Sequence, residues 1–248
     1  MSLAELELIE RPSPNNDARA SDATVDTLVL HYTGMRTTAE ALDRLCDPEV
    51  GVSAHYLIDE DGKVHRLVPE IRRAWHAGVS SWAGDTDIND RSIGIELSNQ
   101  GHELGYRPFH EPQIVALENL ALDILSRQSI PARRILGHSD IAPSRKQDPG
   151  EFLDWRRLAR RGIGVWPELR VAPRNALTLG PGDNGIKVTE AQSALAAFGY
   201  GLIPNGEFNN QTTDVVVAFQ RHFRPRVVDG AYDPETAAIL RAALRLLV

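Results

Sequence analysis

The sequence predicts an α/β layered domain followed by a small C-terminal three-helix domain. Two observations carry this reading. Short apolar, β-rich runs alternate with helix-period segments up to Trp166, and three helical patterns close the chain beyond residue 185. Between them, "PELRVAPRNALTLGPGDNG" (167–185) is rich in Pro, Gly and Asn and reads as a linker. The boundaries that follow are an N-terminal extension over 1–24, a first domain over 25–167, a linker over 168–185 and a second domain over 186–248.

In chain order, "TLVLHYT" (27–33) reads as a buried strand and "TAEALDRLC" (38–46) as a helix with Ala41, Leu42 and Leu45 on one side. "SAHYLIDEDGKVHRLV" (53–68) is two strands joined by a turn at Asp61-Gly62, a strong hairpin signal. "RSIGIELSN" (91–99) is a further strand. Glu111-Pro112 opens a long helix carrying Ile114, Leu117, Leu120, Ala121, Ile124 and Leu125 along one side. "ARRILGH" (132–138) is a short last strand that runs into the polar loop "GHSDIAPSRKQDPG" (137–150). Within the second domain, "GEFNNQT" (206–212) and "GAYDPET" (230–236) share a Gly-x-aromatic-x-x-x-Thr frame. Each supplies capping oxygens to the helix that follows.

Composition excludes several classes. The net charge is −7 and no dense basic run is present, so nucleic acid is not expected as a partner. A single cysteine, Cys46, rules out an intramolecular disulfide and Cys₂His₂-type zinc modules. No apolar run approaches the ~18 residues of a membrane span. The first twenty residues, "MSLAELELIERPSPNNDARA", lack the basic start and apolar stretch of a signal peptide. As the sequence stands this points to the cytoplasm; the alternative, if a signal has been removed, is the periplasm or cell envelope.

Chemistry concentrates where strands end. Of eight histidines, His31 and His138 terminate predicted strands, the places where α/β proteins assemble sites. Taken singly, each reads equally well as a hydrogen-bonded histidine at the edge of a core. Together with Asp148 they would supply the three protein ligands of a catalytic zinc, with an open fourth position. The short helical motif H-E-x-x-H is absent. Glu96 alternates to the face opposite Ile95 and Leu97. By itself that is an ordinary solvent-facing position; beside His31 it would be a general base with a raised pKa. Lys146 is either a solvated lysine or the stabiliser of an oxyanion. Asp140 and Arg145 of the same loop look equally eligible on spacing alone and read as loop-supporting only when the loop is set beside "LVLHYT" and "IGIEL". His55 braces the core or the site. Trp75-His76-Ala77 forms a loop with an aromatic wall, for packing or for substrate contact. His65, His102, His110 and His222 read as structural or surface residues.

Set in order, "LVLHYT", "SAHYLIDEDGKVHRLVPE", "AWHAGVSSWAGDTDINDRSIGIELSN" and "GHSDIAPSRKQDPG" resemble the zinc-dependent N-acetylmuramoyl-L-alanine amidases. The likeness spans residues 25–167 and is nearest the bacterial branch that cuts muropeptides, including 1,6-anhydro forms. It implies a mixed central sheet flanked by helices and one Zn²⁺ per chain on His31, His138 and Asp148. It also implies a catalytic role for Glu96 and Lys146. The activity implied is hydrolysis of the amide between N-acetylmuramic acid and L-alanine in peptidoglycan or muropeptides, during wall turnover or recycling. The second domain resembles three-helix peptidoglycan-binding modules. A non-catalytic peptidoglycan receptor is the alternative; such members usually lack a metal ligand, and this chain has all three.

Overall fold

The structure, a computed structural model, describes residues 8–169 and 177–247. Residues 1–7 of the expected extension, 170–176 of the expected linker and residue 248 lie outside these. The first part of the chain forms β1 (Leu8–Glu10), β2 (Asn16–Ala18), β3 (Thr27–Tyr32), α1 (Thr38–Cys46), β4 (Tyr56–Ile58), β5 (Val64–Arg66) and β6 (Arg72–Ala74). It continues through α2 (Ile88–Arg91), β7 (Ser92–Leu97), α3 (Gly101–Leu104), α4 (Glu111–Arg127), β8 (Ile135–Gly137), α5 (His138–Ile141) and α6 (Trp155–Arg160). The second part is α7 (Ile186–Phe198), α8 (Asn210–Phe223) and α9 (Pro234–Leu244).

Six strands build one sheet in the order β1-β5-β4-β7-β3-β8. Only the β4–β5 hairpin is antiparallel, so the sheet is mixed. Its turn needs a glycine: Gly62 has φ +87°, and a Cβ there would lie 2.8 Å from the carbonyl oxygen of Pro112. The parallel strands are covered on both faces, which is why "TLVLH" is buried without interruption. Leu28, Leu30, Ile93, Ile95 and Leu97 face α4 and pack on Ile114, Leu117, Leu120, Ala121 and Ile124. Val29 and Leu136 face the other way, into a core continuous with the C-terminal helices. Leu57 on that side meets Ala41, Leu42 and Leu45 of α1.

Two expected boundaries are corrected. From Leu8 onward, the N-terminal segment is part of the first domain. β1 pairs in parallel with β5, and β2 pairs with β6 in a second, two-stranded sheet. Arg19 then donates to the carbonyls of Glu70, Asn89, Asp90 and Ser92. The segment is held by strand pairing at a sheet edge and by polar side chains such as Ser13, Asn15 and Arg19 that reach backbone carbonyls, so it carries little apolar periodicity to read. The end of the expected linker also belongs elsewhere. Leu179 bridges Tyr232, and Asn184 bridges Glu207, so residues 179–185 are part of the helical domain.

That domain has a true internal repeat. A fully buried glutamine from each of α7 and α8 reads the backbone of the loop that follows. Gln192 Oε1 accepts from the amides of Asn205 and Gly206, and its Nε2 donates to Glu207 O and Thr212 Oγ1. Gln220 does the same with Asp229, Gly230, Ala231 and Thr236. Asn209 and Asp233 cap the next helices by accepting from the amides of Thr212 and Thr236.

The two domains share a polar joint as well as a core. Asp140, in α5, is only 1% exposed. Its carboxylate accepts from the Gly137 amide at 2.7 Å, from the Tyr200 hydroxyl at 2.7 Å and from His222 Nδ1 at 2.7 Å. His222 stacks on Trp155 at 3.8 Å. Trp82, from the first domain, packs edge-on against Phe198 and Tyr200. Tyr200→Phe removes one buried donor to Asp140 and is expected to cost about 1–3 kcal/mol of stability. Denaturant unfolding of the full chain checks this; an unchanged midpoint with unchanged slope contradicts it.

Candidate active site

Three adjacent parallel strands end side by side. Within β3–β7 pairing, His31 stands opposite Glu96; within β3–β8 pairing, Leu30 stands opposite Gly137, so His138 follows immediately beside His31. Side chains at paired positions project from the same face. His31 and Glu96 therefore both leave the sheet on the side away from α4. Beyond β8 the chain turns through α5, and the loop returns Asp148 to the same point.

His31 Nδ1, His138 Nδ1 and Asp148 Oδ2 form a triangle with edges of 2.9, 3.0 and 3.0 Å. All three residues are buried, and among the described residues they form a group able to hold a metal ion. The outer nitrogens are occupied: His138 Nε2 lies 3.0 Å from the Ala77 carbonyl and His31 Nε2 lies 3.0 Å from His76 Nδ1. A carbonyl only accepts, so His138 carries its proton on Nε2 and presents a lone pair at Nδ1. Burial, then the neighbouring His138, pushes the His31 pKa down to about 4, so its imidazole is neutral at ordinary pH. Burial works to raise Asp148, but the adjacent His138 and His31 outweigh it and hold the carboxyl well below the usual range. Two imidazoles and one carboxylate converging in this way fit a divalent cation that favours N and O ligands.

The group opens onto a cleft of about 340 Å³ whose lining includes Tyr32, Trp75, Glu96, His102, Arg145 and Lys146. Glu96 keeps part of its side chain on this cleft, while its Oε2 is sealed without a hydrogen-bond partner. Burial and the nearby Asp148 charge push its pKa up to about 8, against the opposing pull of Lys146. Lys146 and Asp148 are two residues apart and line the same cleft.

Not every expected contact falls where the sequence suggested. Trp75 lines the cleft, with its indole N–H donating to Asp17 Oδ1 of the N-terminal segment at 3.2 Å. Ala77 is corrected: its methyl is wholly buried in the core, and its carbonyl serves His138 and Arg145, leaving nothing for a substrate. His76 borders the cleft, but both its ring nitrogens bond to protein partners. His55 is a brace, accepting from the Gly94 amide at Nδ1 and facing the Arg72 carbonyl at Nε2. His102 is the residue that sequence reasoning missed. It reaches the cleft wall because Tyr32 Oη meets its Nδ1 at 2.9 Å and Glu151 meets its Nε2 at 3.1 Å. Only its nearness to "NQG" after β7 hinted at such a place.

The Glu96 environment has a measurable consequence in the metal-free protein. A carboxyl whose folded pKa lies above its ordinary 4.5 destabilises the fold as pH rises past that value, fully so above about 8. Glu96→Gln is therefore expected to raise Tm at about pH 9 and to leave it nearly unchanged at about pH 4. Equal shifts at both pH values contradict the raised pKa.

Comparison with known proteins agrees with this geometry. Residues 21–151 match the N-acetylmuramoyl-L-alanine amidase family, and residues 184–240 match a peptidoglycan binding domain family. The N-acetylmuramoyl-L-alanine amidase AmiD of Escherichia coli (strain K12) is 39% identical over 239 residues, covering 92% of this chain and 85% of that protein. The solved structure of AmiD from E. coli with the substrate anhydro-N-acetylmuramic acid-L-Ala-D-gamma-Glu-L-Lys superimposes with a TM-score of 0.77 at 38% identity, covering 92% of each chain. AmpDh3 from Pseudomonas aeruginosa, in complex with anhydromuramic pentapeptide, gives a TM-score of 0.74 at 32% identity, covering 94% of this chain and 96% of that one. With its sheet, its His-His-Asp group and its C-terminal helical domain all in place, this chain belongs to the N-acetylmuramoyl-L-alanine amidase family.

Proposed function

We propose that the protein hydrolyses the amide between N-acetylmuramic acid, including its 1,6-anhydro form, and L-alanine, with one Zn²⁺ held by His31, His138 and Asp148. The observation that carries this reading is the convergence of that donor triangle with Glu96 and Lys146 on one cleft. The anhydro-muropeptides in the solved complexes of two relatives support the substrate class.

Held by His31, His138 and Asp148, Zn²⁺ would supply the Lewis acidity that acidifies an attacking water and polarises the scissile carbonyl. The chain's own groups do the rest. Glu96 takes the proton of the attacking water and delivers it to the departing L-alanyl amine. A carboxyl pushed up toward neutrality suits both halves of that transfer. Lys146 offers its ammonium to the oxygen that becomes negative as the tetrahedral intermediate forms. Trp75, Tyr32 and His102 wall the cleft in which the substrate would lie over these groups.

Chelation is expected to abolish release of L-alanyl peptide from an anhydro-muropeptide, and zinc to restore it. Glu96→Ala should bind zinc normally yet lose turnover, and Lys146→Ala should lower kcat by about 10²–10³. Mass spectrometry of the products, with metal analysis of each variant, checks all of this. Near-wild-type hydrolysis by Glu96→Ala would overturn the role given to it. Activity on intact sacculi compared with purified anhydro-muropeptides decides between polymer and fragment.

A further inference from the structure

We infer that His76, held by Ser92, is a positioning residue that keeps the His31 proton on Nε2 and so leaves the Nδ1 lone pair directed at the metal. The inference rests on the zinc reading above and concerns groups outside the donor triangle itself.

The polarity of the chain is set at its far end. The Ile88 carbonyl can only accept, and Ser92 Oγ lies 2.5 Å from it, so the hydroxyl proton points there. Ser92 Oγ then presents a lone pair to His76 Nε2 at 3.1 Å, which places the His76 proton on Nε2. His76 Nδ1 is left as an acceptor, 3.0 Å from His31 Nε2. His31 must donate across that contact, and its Nδ1 becomes the free lone pair within the donor triangle. Each step follows from which atoms are able to donate, so reversing any one of them would face two protons, or two lone pairs, at hydrogen-bond distance.

The ring is also held in place. Asn89 Oδ1 accepts from the backbone amides of both His76 and Ala77, at 3.0 and 2.8 Å. The His76 ring lies against Gly94 of β7, where a Cβ would come within 2.5 Å of His76 Cγ. His55 closes the remaining side with an edge-on contact at 5.7 Å. The result is that two consecutive residues set both imidazole ligands. Ala77 does so for His138 through its carbonyl, and His76 does so for His31 through its side chain. Outer partners of this kind raise ligand basicity and fix ring orientation, and their loss typically weakens metal affinity about 10–100-fold.

The test uses the full chain and reads zinc affinity by competition with a chromophoric chelator, with the visible spectrum of the Co²⁺-substituted protein as a second readout. His76→Leu fills the site without an acceptor and should weaken zinc binding about 10–100-fold and alter the Co²⁺ spectrum. His76→Asn places a carbonyl oxygen near the position of Nδ1 and should restore most of the affinity. Ser92→Ala frees the His76 tautomer and should weaken binding by less than His76→Leu. Wild-type affinity in a folded His76→Leu overturns the inference. Equal weakening in His76→Leu and His76→Asn, with an unaltered Co²⁺ spectrum, also overturns it by showing only a packing role. Should His76→Leu fail to fold, wild-type affinity in Ser92→Ala overturns it instead. A wild-type protein that binds no zinc at all overturns the zinc reading itself, and this inference falls with it.

Discussion

The site depends first on the parallel pairing of β7, β3 and β8 in one register. Glu96, His31 and His138 lie far apart in sequence, yet in-register pairing delivers them to neighbouring strand ends on a single face. A slip of one residue in β7 would turn Glu96 toward the core beneath α4 and bring Ile95 or Leu97 to the cleft. The apolar alternation of "SIGIEL" against α4 is what forbids that slip, because Ile93, Ile95 and Leu97 are all buried there. The placement of these cleft residues is thus enforced by hydrophobic residues on the other side of the sheet.

A second dependence links the C-terminal domain to the same strand ends. α5 starts at His138, and the turn into it is closed by Asp140 accepting from the Gly137 amide. The remaining acceptor capacity of that carboxylate is taken up by Tyr200 and His222 from the helical domain. The shared core, with Val29 and Leu136 on one side and the C-terminal helices on the other, holds the joint dry. The peptidoglycan-binding-like domain therefore helps form the wall behind His138 of the donor triangle, in addition to any binding of its own. Its pseudo-repeat supplies rigidity: Gln192 and Gln220 each satisfy several buried backbone groups of the loop they face.

Legibility of the sequence followed side-chain burial. α4 announced itself by apolar spacing of 3.6 residues, and β4–β5 by Asp61-Gly62. β1, β2 and β6 did not, since each is only three residues long, too short for an alternation to show, and β2 and β6 carry mostly polar or charged side chains. The site behaved in the same way. His31, Glu96, His138, Lys146 and Asp148 sit where strands end or where a polar loop returns, places that sequence spacing marks. His76 and Ala77 sit in an irregular segment, where no periodicity tells which way a side chain points. Hence packing and substrate contact read equally well there, and the structure decides for packing, turning one inward to His31 and burying the other.

By itself, then, the sequence determined the layered α/β order, the strand-end positions of the chemical residues and the apolar faces that hold them in register. These follow from local periodicity, which each segment carries without its neighbours. Only the tertiary structure decided which residues meet: the donor triangle, the proton order running from Ile88 through Ser92 and His76 to His31, and the Asp140 joint between domains. Those are pairings of polar groups from distant segments. Their partners are chosen by where the packed core leaves a donor facing an acceptor, and no local pattern encodes that.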